Sequence, residues 1–181
     1  MTVSCALFTA LIIIGGYISI PVGPVPLVLA DFFVMLTGLF LGARYGAVCL
    51  TMYLALGAIG LPVFAGGKAG LAVFWGPTGG FLFGYLLAVV AVGFIMGRNK
   101  GSLGKGSLVR LLAALVAGNV LLYLCGVPWL KAVTYLSWPA ALGAGLVPFL
   151  PGAMIKIAAA FALGRALLPR FRPLGDERCL S

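Results

Sequence analysis

Apolar residues run along this chain in long blocks. Short connections rich in glycine, proline or basic residues separate them. Six blocks approach the roughly 20 residues that a bilayer crossing needs: 5–21, 27–41, 47–64, 80–96, 108–125 and 148–168. The pattern predicts an all-α integral membrane protein, a six-transmembrane-helix bundle forming a single membrane domain over residues 1–181. Residues 65–79 are rich in glycine and too short to span. Residues 129–142 form a shorter mixed piece, read as interfacial or re-entrant. The apolar start lacks a basic n-region, so it is read as a first helix and not a cleaved signal.

Composition reinforces this picture. Of 181 residues, 63% are hydrophobic and only 8% charged, against about 25% charged in a soluble domain. The net charge of +9 would suit a nucleic-acid partner, but its placement argues against one. The basic residues stand in connections, with no aromatic interleaving and no soluble face. Nine of the twelve fall on one side of the expected bundle: Arg44, Arg98, Lys100, Lys105, Arg110, Arg165, Arg170, Arg172 and Arg178. That bias puts both termini in the cytoplasm of a multi-pass protein in the cell membrane. The connections at 20–26 and 60–80 then face outward. They carry Pro24, Pro26, Gly66, Gly67, Gly79 and Gly80, which suit ordinary turns or loops that close over a small molecule.

Chemistry narrows the field further. There is no histidine, and the acids are Asp31, Asp176 and Glu177. Carboxylate pairs, Ser-His-Asp triads and histidine-based metal sites therefore lack parts, so no enzyme, cofactor or metal centre is expected. Cys5, Cys49, Cys125 and Cys179 form no Cys-x-x-Cys pair, and the three in or beside apolar runs read as packing residues. Residues 101–107 fail as a phosphate-binding loop, because Asn99 stands at the first glycine position and Gly106 follows the lysine.

What remains is a small set of ionisable and polar groups inside apolar runs. Lys156 lies about two turns into the last block, and an ionisable residue there is a functional candidate by default. Asp31, at the head of the second block, can cap its helix, pair with Lys156, or accept a hydrogen bond from a ligand. Lys68 is either a solvated charge or a second cation over an outward cavity. Asn119 can join helices or touch ligand. Trp129 and Trp138 read as markers of the outer interface. Ala6 and Ala10 set two small residues four apart; Gly38, Gly42 and Gly46, and Gly80 and Gly84, repeat that spacing. Such spacing serves packing inside the bundle or docking of a partner membrane subunit. Two basic groups and many aromatics facing outward suit a small, anionic, partly apolar solute.

These motifs, taken in order, resemble the BioY family, the biotin-specific substrate-binding subunit (S component) of energy-coupling factor transporters. The resemblance covers nearly the whole chain. It rests on Pro24-Val-Pro26, the Leu-Thr-Gly-Leu-Phe-Leu-Gly of 36–42, and Tyr53 through the Gly-Leu-Pro-Val-Phe of 60–64. It continues with Phe-Trp-Gly-Pro-Thr-Gly-Gly at 74–80, Gly-Val-Pro-Trp-Leu at 126–130, Pro-Phe-Leu-Pro-Gly at 148–152 and Lys156. It implies biotin capture from outside, with the outward loops closing over the ligand. It also implies assembly with a transmembrane coupling subunit and two cytoplasmic ATPases, with Ala6 and Ala10 as the docking pair. Lys156 would hold a polar group of the ligand, its carboxylate first among them, and Lys68 would add positive potential at the mouth. Tyr53, Phe64 and Phe81 would form apolar walls, with Gly66, Gly67, Gly79 and Gly80 giving close-approach backbone.

Two positions depart from the family pattern. Its usual Pro-Gly-Asp, three residues before the lysine, here ends in Ala153. Its usual glutamine after Pro-Val-Pro is here Ala30 followed by Asp31. Either Asp31 replaces the lost acid from another helix, or the ligand differs from biotin. A related subunit for another small acid or vitamin, and a non-binding membrane scaffold, are the rival readings.

Overall fold

The computed structural model describes residues 2–21, 24–97 and 105–168. Arg98, Lys100, Arg170, Arg172, Arg178, Asp176, Glu177, Cys179 and most of the 101–107 connection lie outside them. Among the described residues the chain is mainly helical. In order come α1 (Thr2–Tyr17), strands β1 (Ser19–Ile20) and β2 (Leu27–Val28), α2 (Ala30–Ala58) and a 3-10 turn (Ala65–Gly67). Then follow α3 (Ala72–Trp75), α4 (Gly79–Gly97), α5 (Lys105–Thr134), α6 (Trp138–Gly145) and α7 (Phe149–Leu167). Four of these helices are long and apolar enough to cross a membrane, namely α2, α4, α5 and α7. The shorter α1 is also apolar.

The second and third apolar blocks are not separated by a loop, as hydropathy suggested. They form one helical element interrupted at a single residue, Gly42, with φ 76° and ψ −177°. Only glycine adopts this backbone readily. The chain reverses sharply there. A Cβ built on Gly46 would stand 3.8 Å from the Cα of Gly38, whereas a straight helix separates residues eight apart by about 12 Å. The halves of α2 therefore lie against each other. α1 runs alongside the second half, where Thr9 Oγ1 donates to the Cys49 carbonyl (3.3 Å) and Cys5 Sγ to that of Tyr45 (4.0 Å).

α4 fills the angle of the reversal. A Cβ on Gly93 would meet Ala43 N at 2.2 Å and Gly42 C at 2.4 Å, and one on Gly38 would meet the Val89 carbonyl at 2.9 Å. Gly84 and Gly80 of α4 face Leu122 and Trp129 of α5 in the same way. The small-residue spacings in α2 and α4 thus serve packing within the bundle.

The fifth apolar block extends further than expected. α5 continues through Pro128 and Trp129 to Thr134. Pro128 removes one helical hydrogen bond, but tertiary contacts hold the last turns. Leu130 is fully buried, and Trp129 Nε1 donates to the Gly76 carbonyl at 3.1 Å. Trp129 is therefore half-buried against the α3–α4 junction. The remainder of 129–142 supplies the short helix α6, where Lys131 lies 5.0 Å from the ring centre of exposed Trp138.

The core divides in two. One part gathers Val34, Leu50, Tyr53, Phe64, Phe81, Tyr85, Leu122 and Phe149, together with Val25 and Val63 from the connections. The other gathers Leu36, Leu39, Val92, Leu111, Leu115 and Ala160. Large apolar side chains such as Val3, Phe94, Leu124, Met154 and Ile155 remain exposed, as suits a surface that meets lipid.

Candidate functional site

A cavity opens within the first part of the core. About 680 Å3 of space free of atoms lies between its walls, counting the open space at its mouth. Its walls come from distant parts of the chain: Val25, Pro26 and Val28 of the first connection, Asp31 and Tyr53 of α2, Phe64 and Lys68 of the second connection, Val73 of α3, Thr78 just before α4, Phe81 and Tyr85 of α4, Tyr123 of α5 and Phe149 of α7.

The connections are shaped to cover it. β1 and β2 pair antiparallel, with Ser19 opposite Val28 and Ile20 opposite Leu27. Leu29 N donates to the carbonyls of Gly15 (3.0 Å) and Ile18 (3.1 Å), which ties the hairpin onto α1. In the second connection, Gly66 and Gly67 take φ of 67° and 74°, which lets Phe64 N donate to the Lys68 carbonyl at 3.0 Å. The loop therefore folds on itself and sends Phe64 inward. The Phe64 ring stands edge-on to Tyr53 and to Phe74, with centroids 5.5 Å apart in both pairs. The Tyr17 hydroxyl donates to the Pro62 carbonyl and joins α1 to this loop. Phe81 stacks on Phe149 at 6.5 Å, and Tyr123 meets Phe149 edge-on.

The charged groups meet at a second, smaller recess, lined by Asp31, Phe32, Met35, Leu115, Asn119, Lys156, Ile157 and Ala160. Lys156 Nζ donates to Asp31 Oδ1 at 2.8 Å, to Asp31 Oδ2 at 3.0 Å and to the Val28 carbonyl at 2.6 Å. Asp31 Oδ1 also accepts from Phe32 N at 3.1 Å. Both side chains are largely enclosed, at 14% exposure for Lys156 and 10% for Asp31. α7 thus reaches across to the head of α2, and an acid and a lysine from different apolar blocks find each other.

The structure sorts the other candidates. Asp31, Tyr53, Phe64, Lys68 and Phe81 line the large cavity. Lys156 and Asn119 do not; they line the small one, and Asn119 Nδ2 donates to the Leu115 carbonyl of its own helix at 3.0 Å. Gly66 and Gly67 shape the covering loop. Gly79 and Gly80 are absent from the cavity wall, because their space is taken by neighbouring chain. A Cβ there would meet the Phe74 carbonyl at 1.8 Å and the Trp129 Cβ at 2.3 Å. Ala6 and Ala10 lie on the exposed face of α1. Among the described residues no cluster of ligating side chains could hold a metal. Sequence reasoning missed Tyr85, Tyr123 and Thr78. The available signal was a hydroxyl inside, or at the head of, a lipid-length run.

Helices long and apolar enough to cross a membrane, packed around an aromatic-lined cavity, define the class: a multi-pass membrane protein with an internal pocket. Comparison with known proteins specifies it. The chain matches the model of the BioY family over residues 1–173. The biotin transporter BioY of Thermotoga maritima is 41% identical over 158 residues, covering 87% of this chain and 89% of its own. That of Rhizobium etli is 41% identical over 169 residues, covering 90% of both. The probable biotin transporter BioY of Pyrococcus horikoshii is 40% identical over 162 residues, covering 90% and 92%. Among solved structures, the crystal structure of the S-component for biotin from an ECF-type ABC transporter superposes with a TM-score of 0.86 at 32% identity, over 95% of this chain and 92% of that one. The chain belongs to the BioY family. Its relatives are named as transporters and not as enzymes.

Proposed function

We propose that this protein takes up biotin as the substrate-binding subunit of an energy-coupling factor transporter. The observation that carries the reading is the lidded cavity, with mostly aromatic and aliphatic walls, one carboxylate inside and one lysine at its edge. Biotin has a compact ring system with hydrogen-bonding groups at one end and a carboxylate at the other. Tyr53, Phe64 and Phe81 pack on its rings, Gly66 and Gly67 set the loop that covers it, and exposed Lys68 raises the potential where the carboxylate lies. Asp31 supplies the polar floor, with Lys156 and Asn119 behind it. A mostly apolar pocket with a few placed polar groups is the general pattern of tight small-molecule binding.

In this reading residues 1–181 form one membrane unit of six crossings: α1, the two halves of α2, α4, α5 and α7. The sharp reversal at Gly42 supports counting α2 twice. Arg44 beside the reversal, Arg110 early in α5 and Arg165 at the end of α7 fall on the cytoplasmic side, and so do both termini. The cavity faces outward. Energy comes from a transmembrane coupling subunit and cytoplasmic ATPases; nucleic acid has no part. Ala6 and Ala10, exposed on α1, dock the coupling subunit, since small side chains let a partner helix approach closely.

The experiment is calorimetric or radiolabelled biotin binding to the purified protein, beside co-purification with a coupling subunit. Sub-micromolar binding is expected. Replacing both Ala6 and Ala10 by leucine is expected to leave biotin binding within about twofold and to abolish co-purification. Failure to bind biotin, with the complex intact, would replace this reading by that of a scaffold subunit.

A further inference from the structure

The Lys156 amine has no donor left for a ligand. An ammonium group carries three N–H donors, and all three are used, two on Asp31 and one on the Val28 carbonyl. The distances of 2.6–3.0 Å leave no slack in this arrangement. A carboxylate has about four acceptor positions. Asp31 uses three of them: two toward Lys156 and one toward Phe32 N. The open position is on Oδ2. Asp31 lines the large cavity and the small one, whereas Lys156 lines only the small one. The cation therefore stands behind the carboxylate as seen from the ligand space.

The same cavity holds the phenols of Tyr53, Tyr85 and Tyr123 and the hydroxyl of Thr78. Among the described residues none of these hydroxyls has a hydrogen-bonding partner within the chain, so each is free to serve a ligand. The cavity floor thus offers one charged acceptor with O–H donors around it. Lys68, the one cation on the wall among the described residues, is carried by the covering loop.

We propose that Asp31 is the ligand-contacting acid of this protein, accepting one N–H of the solute's head group on Oδ2, and that Lys156 is a positioning residue that aims Asp31 without touching the ligand. The proposal rests on the biotin reading above, in which that donor is one N–H of the cyclic urea. It also orients the solute: urea end to Asp31, carboxylate end to Lys68. The acid and its cation come from different helices, so head-group recognition depends on how α7 seats against the start of α2.

The test uses the full chain and three probes: biotin, biotin amide (tail charge removed) and biotin methylated on either urea nitrogen (one head N–H removed). Affinities are measured for the wild type, Asp31→Asn, Lys156→Gln and Lys68→Gln. In the wild type, methylating one of the two nitrogens is expected to weaken binding at least 50-fold. Asp31→Asn is expected to weaken biotin about 100-fold and to shrink that methylation penalty below fivefold, the coupling expected of groups in contact. Lys156→Gln is expected to shrink the methylation penalty as well, because the carboxylate is no longer aimed, while the preference for biotin over its amide persists. Lys68→Gln is expected to remove that preference.

A Lys156→Gln protein that loses the preference for biotin over its amide would show the amine gripping the tail and overturn the proposal. So would one that keeps the full methylation penalty, since Lys156 would then only hold the fold. The wild-type measurement needs no variant to fold; equal tolerance of both methylations overturns the role of Asp31 outright. A wild type that binds no biotin removes the functional reading itself, and this assignment with it.

Discussion

Replacing Lys156 by methionine is expected to destabilise the protein by about 3–5 kcal/mol, the usual effect of removing one partner from a buried ion pair. The substitution nearly conserves side-chain length and apolar volume, so little of that loss comes from packing. It comes from the Asp31 carboxylate, 10% exposed and left without the amine at 2.8 Å. The expected result is a strongly lowered midpoint of thermal unfolding in detergent, measured without ligand. Adding Asp31→Asn to the same protein is expected to recover most of the loss, since a neutral amide no longer needs a counter-charge. Biotin affinity is not expected to return with stability. If the single and double variants unfold together, the pair does not hold the fold.

The second large effect is expected at Gly93. A Cβ there would fall 2.2 Å from Ala43 N and 2.4 Å from Gly42 C. Both are backbone atoms at the reversal of α2, and they cannot swing aside as a flexible side chain would. Gly93→Val should force α4 away from the reversal and open the main contact between α2 and α4. Overpacking of a well-filled core costs about 1–3 kcal/mol, occasionally more, and this site lies at the severe end. The measurement is the yield of monodisperse protein after extraction, with Gly97→Val as control, because a Cβ at Gly97 meets nothing within 4 Å. Equal yields from the two variants would mean that the helices do not meet as closely as described.

The membrane blocks were legible because charge is so scarce in this chain that hydropathy alone marks them. Their junctions were not. Gly38, Gly42 and Gly46 look alike in sequence, yet Gly42 is needed for its backbone angle, while Gly38 and Gly46 are needed for space against Val89 and Val92. Hydropathy also ended the fifth block too soon, because Pro128, Trp129 and Lys131 lower its average. The helix continues there on contacts with α4, which no local window contains.

The charged part of the site was legible for the same reason that the spans were. Asp31 and Lys156 were conspicuous inside apolar runs, and the structure brings them together. Which of the two faces the cavity depends on α7 lying behind α2, and that is tertiary information. Tyr85 and Tyr123 were overlooked because a phenol inside an apolar run reads as one more apolar residue. Gly79 and Gly80 were read as making room for a ligand, whereas the room they make is occupied by the Phe74 carbonyl and by Trp129. A glycine reports that something comes close, but not what.

The ion pair joins residues 125 positions apart in the chain. At synthesis rates of about 5–20 residues per second, Asp31 leaves the ribosome about 6–25 s before its lysine. Throughout that interval the head of α2 carries an acid with no cation to meet it. The carboxylate must wait in the water-rich surface layer of the bilayer, or enter protonated. The last helix therefore completes the site as it inserts, and a chain that stalls before α7 arrives is left with an unpaired acid and an unfinished binding pocket.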